Sequence, residues 1–198
     1  MNLQFLGDAL DHWKGSVFEA LQNSLLLKGF RVDAMASDSE KWEQNDHRLY
    51  ATLLRIEQHQ LIAHENTLSG DRNKYFNEIP SMGDLFLDPD TGLKTGTVKT
   101  VSQYLKAAEL HSLLEQNKGR IIAVYQHVRA RRTRERMEEV LQVLGHERNG
   151  FFCTSYESGT VALLFFGLEP KRIEAIRDHF HLLLDKHADI RIGHWSRN

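Results

Sequence analysis

Three consecutive large apolar residues, Leu85-Phe86-Leu87, run directly into Asp88-Pro89-Asp90-Thr91-Gly92, and this junction limits the folds open to the chain. An uninterrupted apolar run closed by an acid reads as a strand buried on both faces, emerging at its carboxyl end from a parallel sheet covered by helices. Pro89 has no amide to give a sheet ladder, so the strand stops there and the chain turns. Arg120-Ile121-Ile122-Ala123-Val124-Tyr125-Gln126-His127 repeats the pattern, an apolar run ending in polar groups.

Helical periodicity separates these strands. Leu10, Trp13, Val17, Leu21 and Leu25 recur every three or four residues, which predicts a helix from Asp8 to about Lys28 that ends at Gly29. Asp8 followed by Asp11 resembles a capping box, with Asp8 accepting the first amides. Phe30 to Met35 alternates like a short strand; Asp46 to about Glu65 and Arg72 to Ile79 read as helices. Further helices are expected over Ser102 to Gln116 and Ala130 to Leu144. Strands are expected at Phe151 to Tyr156 and Val161 to Leu168, around Glu157-Ser158-Gly159. Pro170 opens the last helix, to about Lys186, at a first-turn position where its missing amide does no harm, and Ile190-Arg191-Ile192 reads as an edge strand. Strands alternating with helices predict a single α/β domain over residues 1–198, a Rossmann-like three-layer sandwich with a mostly parallel sheet and a C-terminal antiparallel hairpin.

The chain of 198 residues is 41% hydrophobic and 26% charged, which places it among globular proteins rather than disordered ones. Its one cysteine, Cys153, allows no intrachain disulfide, and no run approaches the roughly 20 apolar residues that span a bilayer. The first residues lack the charged start and apolar middle of a signal peptide, so a cytoplasmic location with no membrane association is expected. A net charge of −2 hides a local excess, since residues 127–136 contain five arginines.

From Asp84 to Leu168 the order of apolar strand ending in Asp-Pro, helix, strand, helix and hairpin resembles the second half of the class I methyltransferase fold. The resemblance implies that the Asp88-Pro89-Asp90-Thr91 turn holds a substrate amine and that S-adenosylmethionine is the methyl donor. It also puts Asp33 where such enzymes bind ribose hydroxyls. The chain lacks the family's glycine-rich cofactor motif, because Gly7-Asp8-Ala9-Leu10-Asp11 does not have its spacing. Leu85 to Gly92 is also similar to the first positions of the haloacid dehalogenase-like phosphohydrolase motif, with the threonine and glycine reversed.

Read from the residues, Asp88 and Asp90 are hard oxygen donors on one strand-end turn and suit Mg²⁺ or Mn²⁺, with help from Asp33 or Asp11. In open α/β sheets, ligands sit beyond the carboxyl ends of the strands, where these acids and His127 are expected to gather. The leading expectation is therefore a divalent-metal-dependent phosphoester hydrolase, a nuclease in one version. His127 and Lys14 would assist proton transfer and charge neutralisation beside Asp88, and Arg129, Arg131, Arg132, Gln126 and Thr91 would hold a nucleic-acid or nucleotide substrate. The alternatives are the methyltransferase that the resemblance implies and a non-catalytic module that binds nucleic acid or protein through the arginine-rich segment.

Overall fold

The computed structural model describes residues 2–36, 42–96, 100–128, 133–145 and 150–195. A six-stranded sheet forms its middle, built from β1 (Arg31–Asp33), β2 (Leu85–Leu87), β5 (Ile121–His127), β6 (Phe152–Glu157), β7 (Val161–Gly167) and β8 (Ile192–Trp195) in the order β1-β2-β5-β7-β6-β8. β1, β2 and β5 pair in parallel, in register Asp33 to Leu87 and Leu87 to Val124. β7 runs antiparallel between β5 and β6, so β6 points the same way as the first three strands, and β8 closes the edge. A second, two-stranded parallel sheet joins β3 (Gly92–Leu93) to β4 (Tyr104–Leu105).

Alternate residues along each strand supply two cores, as the period of two requires. One face carries Leu85, Leu87, Ile122, Val124, Leu164 and Phe166 against α3 (Arg72–Asn77), α4 (Ala107–Gln116) and α5 (Thr133–Leu144). The other carries Val32, Phe86, Ala123, Leu163 and Phe165 against α1 (Ala9–Asn23), α2 (Gln44–Leu53) and α6 (Pro170–Leu184). The result is the mixed α/β, three-layer arrangement that alternating strands and helices predict. A last short helix, α7 (Ala188–Arg191), leads into β8. Phe86 is fully buried with its ring 4.6 Å from that of Phe18, so the Pro89 turn is anchored by a strand whose truncation would cost about 3–5 kcal/mol.

Two helices stop earlier than periodicity predicts, and for one reason. α1 ends at Asn23 rather than near Gly29, and α2 at Leu53 rather than near Glu65. In each, a non-glycine residue takes the left-handed conformation, Leu25 at φ 56° and Arg55 at φ 55°. The next amide then reaches back five residues, Leu26 N to Leu21 O at 3.0 Å and Ile56 N to Ala51 O at 3.1 Å. This is the closure that glycine usually permits, here without glycine to signal it. The segment after α2 does something else: Leu61 bridges Val32 in parallel, outside β1.

The helix expected over Ser102 to Gln116 is also divided. Tyr104–Leu105 pairs with Gly92–Leu93, and Arg72 holds the junction through Glu109 Oε1 and Oε2 at 2.7 and 2.8 Å and through the Tyr104 carbonyl at 3.0 Å. The final edge strand lies at Ile192–Trp195, with Ile190 and Arg191 in the preceding helix.

Close packing of α1 on α2 depends on Gly15, where an added Cβ would lie 2.0 Å from the Leu53 carbonyl oxygen. Alanine is the better helix former by about 1 kcal/mol, yet here the backbone collision dominates. Gly15→Ala is expected to lose about 1–3 kcal/mol, read as a fall in Tm of several degrees. An unchanged or raised Tm would contradict this packing.

Candidate functional site

The parallel register delivers Asp33, Asp88 and Gln126-His127 to one edge of the sheet, the carboxyl ends of β1, β2 and β5. β2 is continued by one more ladder bond, Asp88 N to Asp33 O at 3.0 Å, after which Pro89 ends the pairing. The start of α1 comes to the same edge. Asp8 caps this helix through Leu10 N at 2.8 Å and Asp11 N at 3.2 Å, while Asp11 Oδ2 accepts the amide of Gly7 at 2.9 Å.

With its first turn fixed, α1 directs Lys14 inward. The Lys14 ammonium lies 2.9 Å from Asp11 Oδ1 and 2.8 Å from Asp88 Oδ2, and 4.6 Å over the ring of Tyr125. Tyr50, from α2, donates its hydroxyl to the same Asp88 oxygen at 2.5 Å. All of these groups are buried, with Lys14 only 4% exposed. Burial alone would lower the Lys14 pKa, but the two carboxylates outweigh it and hold the ammonium above the ordinary lysine range. One cation thus serves two acids. Asp11 is pushed up by burial, only partly offset by Lys14, and Tyr50 is driven well up by burial and by the Asp88 charge beside it.

This network floors a cleft of about 220 Å³, walled by Phe5, Asp8, Leu10, Pro89, Asp90 and His127 as well. Of the predicted site residues, Asp11, Lys14, Asp88, Asp90 and His127 share the cleft. Thr91 and Gln126 do not line it; they support the turn from below. Gln126 Oε1 accepts Leu93 N at 2.9 Å, and the Thr91 carbonyl accepts the His127 amide at 3.1 Å and Gln126 Nε2 at 3.3 Å. Gly92 has φ 114° and passes so near Gln126 that a Cβ would lie 2.5 Å from its amide. Arg129, Arg131 and Arg132 lie outside the described residues.

Asp33 faces a different cavity, of about 440 Å³, at the same sheet edge. Its Oδ1 accepts the Tyr75 hydroxyl at 2.7 Å and the Met35 amide at 2.8 Å, and its Oδ2 pairs with His64 Nε2 at 3.1 Å. Met35 takes a left-handed φ of 45° directly after β1, a tight turn made without glycine. Trp42 and His47 wall the cavity opposite, their rings 5.3 Å apart, and the buried indole N–H of Trp42 has no hydrogen-bond partner among the described residues.

Tyr50, His64, Tyr75 and Trp42 also stand at this edge, and the sequence does not single them out. Tyr50 and Tyr75 read as ordinary apolar positions of helices, and His64 and Trp42 stand in segments without a motif. The two ring nitrogens of His64 lie 3.1 Å from Asp33 Oδ2 and 3.0 Å from Glu78 Oε2; only the Glu78 contact has hydrogen-bond geometry, and the Asp33 contact becomes an ion pair when the ring is protonated. Burial would lower its pKa, but the hydrogen bonds and charges of Asp33 and Glu78 raise it above the usual histidine value.

No family model and no curated protein matches the chain. Among solved structures, the crystal structure of protein LPL1258 from Legionella pneumophila str. Philadelphia 1, assigned to the family DUF519, aligns with a TM-score of 0.45 and 11% identity, over 83% of this chain and 59% of that one. The chain therefore spans about three-fifths of the length of that neighbour. Among the described residues no helix is long and apolar enough to cross a membrane.

Two outcomes test this electrostatic picture. Lys14→Met strands Asp11 and Asp88 in the interior, and breaking such a pair is expected to cost about 3–5 kcal/mol; chemical denaturation that finds the variant as stable as the parent would refute the pairing. For His64 the folded pKa is raised, so its stabilisation is complete below the unfolded value and disappears as pH rises through the folded one. The stability difference between the parent and His64→Gln should accordingly shrink as the pH is raised above neutral. A difference that grows with pH would show the imidazole to be neutral.

Proposed function

We propose that this chain is a cytoplasmic S-adenosylmethionine-dependent methyltransferase that modifies an amine-bearing acceptor such as a nucleobase. The observation that carries the reading is the placement of two cavities at the carboxyl edge of the parallel strands, one at the end of β1 and one at the Asp88-Pro89-Asp90 turn of β2. That edge is where open α/β sheets bind ligands.

The cavity at Asp33 fits a nucleoside-bearing cofactor in size, since such sites span roughly 300–1,000 Å³, and in chemistry. Trp42 and His47 present aromatic faces, and the unpartnered Trp42 N–H is a buried donor awaiting an acceptor. Asp33 is locked by Tyr75, Met35 and His64, so it shapes the wall. When bound, S-adenosylmethionine supplies an electrophilic methyl group. The protein's own residues would position the acceptor. Asp88 and Asp90 would accept its N–H groups, Pro89 and Tyr125 would pack against a flat ring, and Lys14 fixes the position of the Asp88 side chain. His127, whose Nε2 lies 3.4 Å from the Tyr125 hydroxyl, is placed at the cleft to take up a proton.

Calorimetry and thermal shift with S-adenosylmethionine test the proposal. A ligand at about a hundredfold excess over its Kd stabilises by about 2.7 kcal/mol, and Trp42→Phe should weaken binding about fivefold to tenfold by removing one hydrogen bond. No heat and no change in Tm at millimolar cofactor would reject the methyltransferase.

A second reading has its own support, because Asp11, Asp88 and Asp90 share the cleft with Lys14 and His127. These are part of the set expected of a Mg²⁺- or Mn²⁺-dependent phosphoester hydrolase acting on nucleic acid or a nucleotide, whose fourth acid, Asp33, faces the other cavity. The metal would have to take Asp88 from the Lys14 ammonium, which already lies between the two acids. Mn²⁺ titration followed by electron paramagnetic resonance distinguishes the readings. Binding that vanishes in Asp88→Asn favours the hydrolase, and no bound Mn²⁺ excludes it.

A further inference from the structure

The opposite, amino edge of the sheet contains a wider groove of about 620 Å³ that neither reading above uses. Lys28 and Arg31 line it with His59, Gln22 and Gln60, the Arg31 guanidinium giving one hydrogen bond to the His59 carbonyl, and among the described residues no carboxylate lines it. Its floor is a close approach of two turns. Gly29 and Gly83 take φ of 56° and 81°, and a Cβ on Gly83 would fall 2.1 Å from the Gly29 carbonyl oxygen.

Beneath the 80–83 turn lies a second cationic group. Arg120 is 1% exposed and gives Nε to Gly83 O at 2.9 Å and Nη2 to Pro80 O at 2.7 Å. Its Nη1 has no hydrogen-bond partner among the described residues. The nearby acid, Asp84, does not pair with it. Both Asp84 oxygens are taken by Arg172 at 2.9 and 2.8 Å, and by the amides of Ile121 and Lys28 at 2.7 Å each. Arg172 and two backbone amides thus engage Asp84 fully, and the charged groups of Lys28, Arg31 and Arg120 form no ion pair among the described residues. A buried guanidinium solvated only by carbonyls is costly, and an anion nearby would offset that cost.

The geometry points to a phosphate-binding groove at the amino edge, in which Lys28 and Arg31 contact the phosphoryl oxygens and Arg120 supplies positive potential from below. Phosphate oxygens suit this site because they accept several charge-assisted hydrogen bonds at once, and guanidinium matches them with paired donors. The phosphoryl group can belong to a free diphosphate or to a nucleic-acid strand, and the open shape of the groove admits either.

The test uses the intact protein and two probes, pyrophosphate by calorimetry and a short fluorescent oligothymidylate by anisotropy. At least one is expected to bind, with affinity falling as salt rises, and Lys28→Gln combined with Arg31→Gln should weaken it by about tenfold or more. Pyrophosphate binding alone identifies a small-anion site, and oligothymidylate binding identifies a strand-binding groove; both support the inference. Binding that the double variant leaves unchanged, or no binding of either probe at millimolar concentration and low salt, would overturn it. Thermal unfolding of the double variant, in which exposed Lys28 and half-buried Arg31 give up a single side-chain hydrogen bond to the His59 carbonyl, is expected to stay within a few degrees of the parent and separates lost binding from lost folding.

Discussion

The contact between the Lys14 ammonium and Asp88, across 74 residues of sequence, ties the start of α1 to the end of the central parallel strand. Without it the Asp88-Pro89 turn would present a buried carboxylate to an apolar interior, which is prohibitive unless the charge is paired and hydrogen-bonded. With it, Asp88 is held by an ammonium and by the Tyr50 hydroxyl, and α1, α2 and β2 share one fixed point. The cleft is thus a product of the same groups that secure the edge. A buried ion pair is weak evidence for net stability, because desolvation cancels much of the attraction. Its value here is positional: it fixes where an acid sits.

Buried polar groups are distributed with the same logic across the molecule. The parallel strands β1 and β2 and most of β5 and β7 are apolar, while Asp11, Lys14, Asp33, Asp88, Thr91 and Gln126 lie buried at the carboxyl edge and Asp84 and Arg120 at the amino edge; Thr154 and Ser155, buried within β6, bond to Gly193 of β8. At each end the strands stop and their backbone groups need partners, so polar side chains do structural work there. At the carboxyl edge they also border two cavities. His64, stacked on Tyr75 at 3.8 Å and set between Asp33 and Glu78, extends this edge outward.

Much of this could be read from residue order, and what could not has physical causes. The run Leu85-Phe86-Leu87 with Pro89 announced a buried strand and its end, and β1, β2, β5 and the β6/β7 hairpin lie where alternation and apolar runs put them. Apolar periodicity runs past the helix ends at Leu25 and Arg55, which adopt the glycine-like conformation that no residue type marks. The small β3/β4 sheet escaped notice because two-residue strands have no period. In the site, Asp11, Lys14 and Asp88 were legible because charged residues stood at a helix start and a strand end. Asp33 was expected beside them and instead belongs to a separate cavity. Tyr50 and His64 were invisible, because their partners lie 38 and 31 positions away and only tertiary packing brings them together.

The claim on which the site depends is that Lys14 is a buried, charged strut between two acids, and nitrogen-detected NMR of its side chain addresses that directly. The account predicts a slowly exchanging ammonium at neutral pH that deprotonates only above the ordinary lysine range. A rapidly exchanging amine, or one that loses its proton below that range, would mean that the pair is not formed and that the cleft lacks the fixed acid proposed for it.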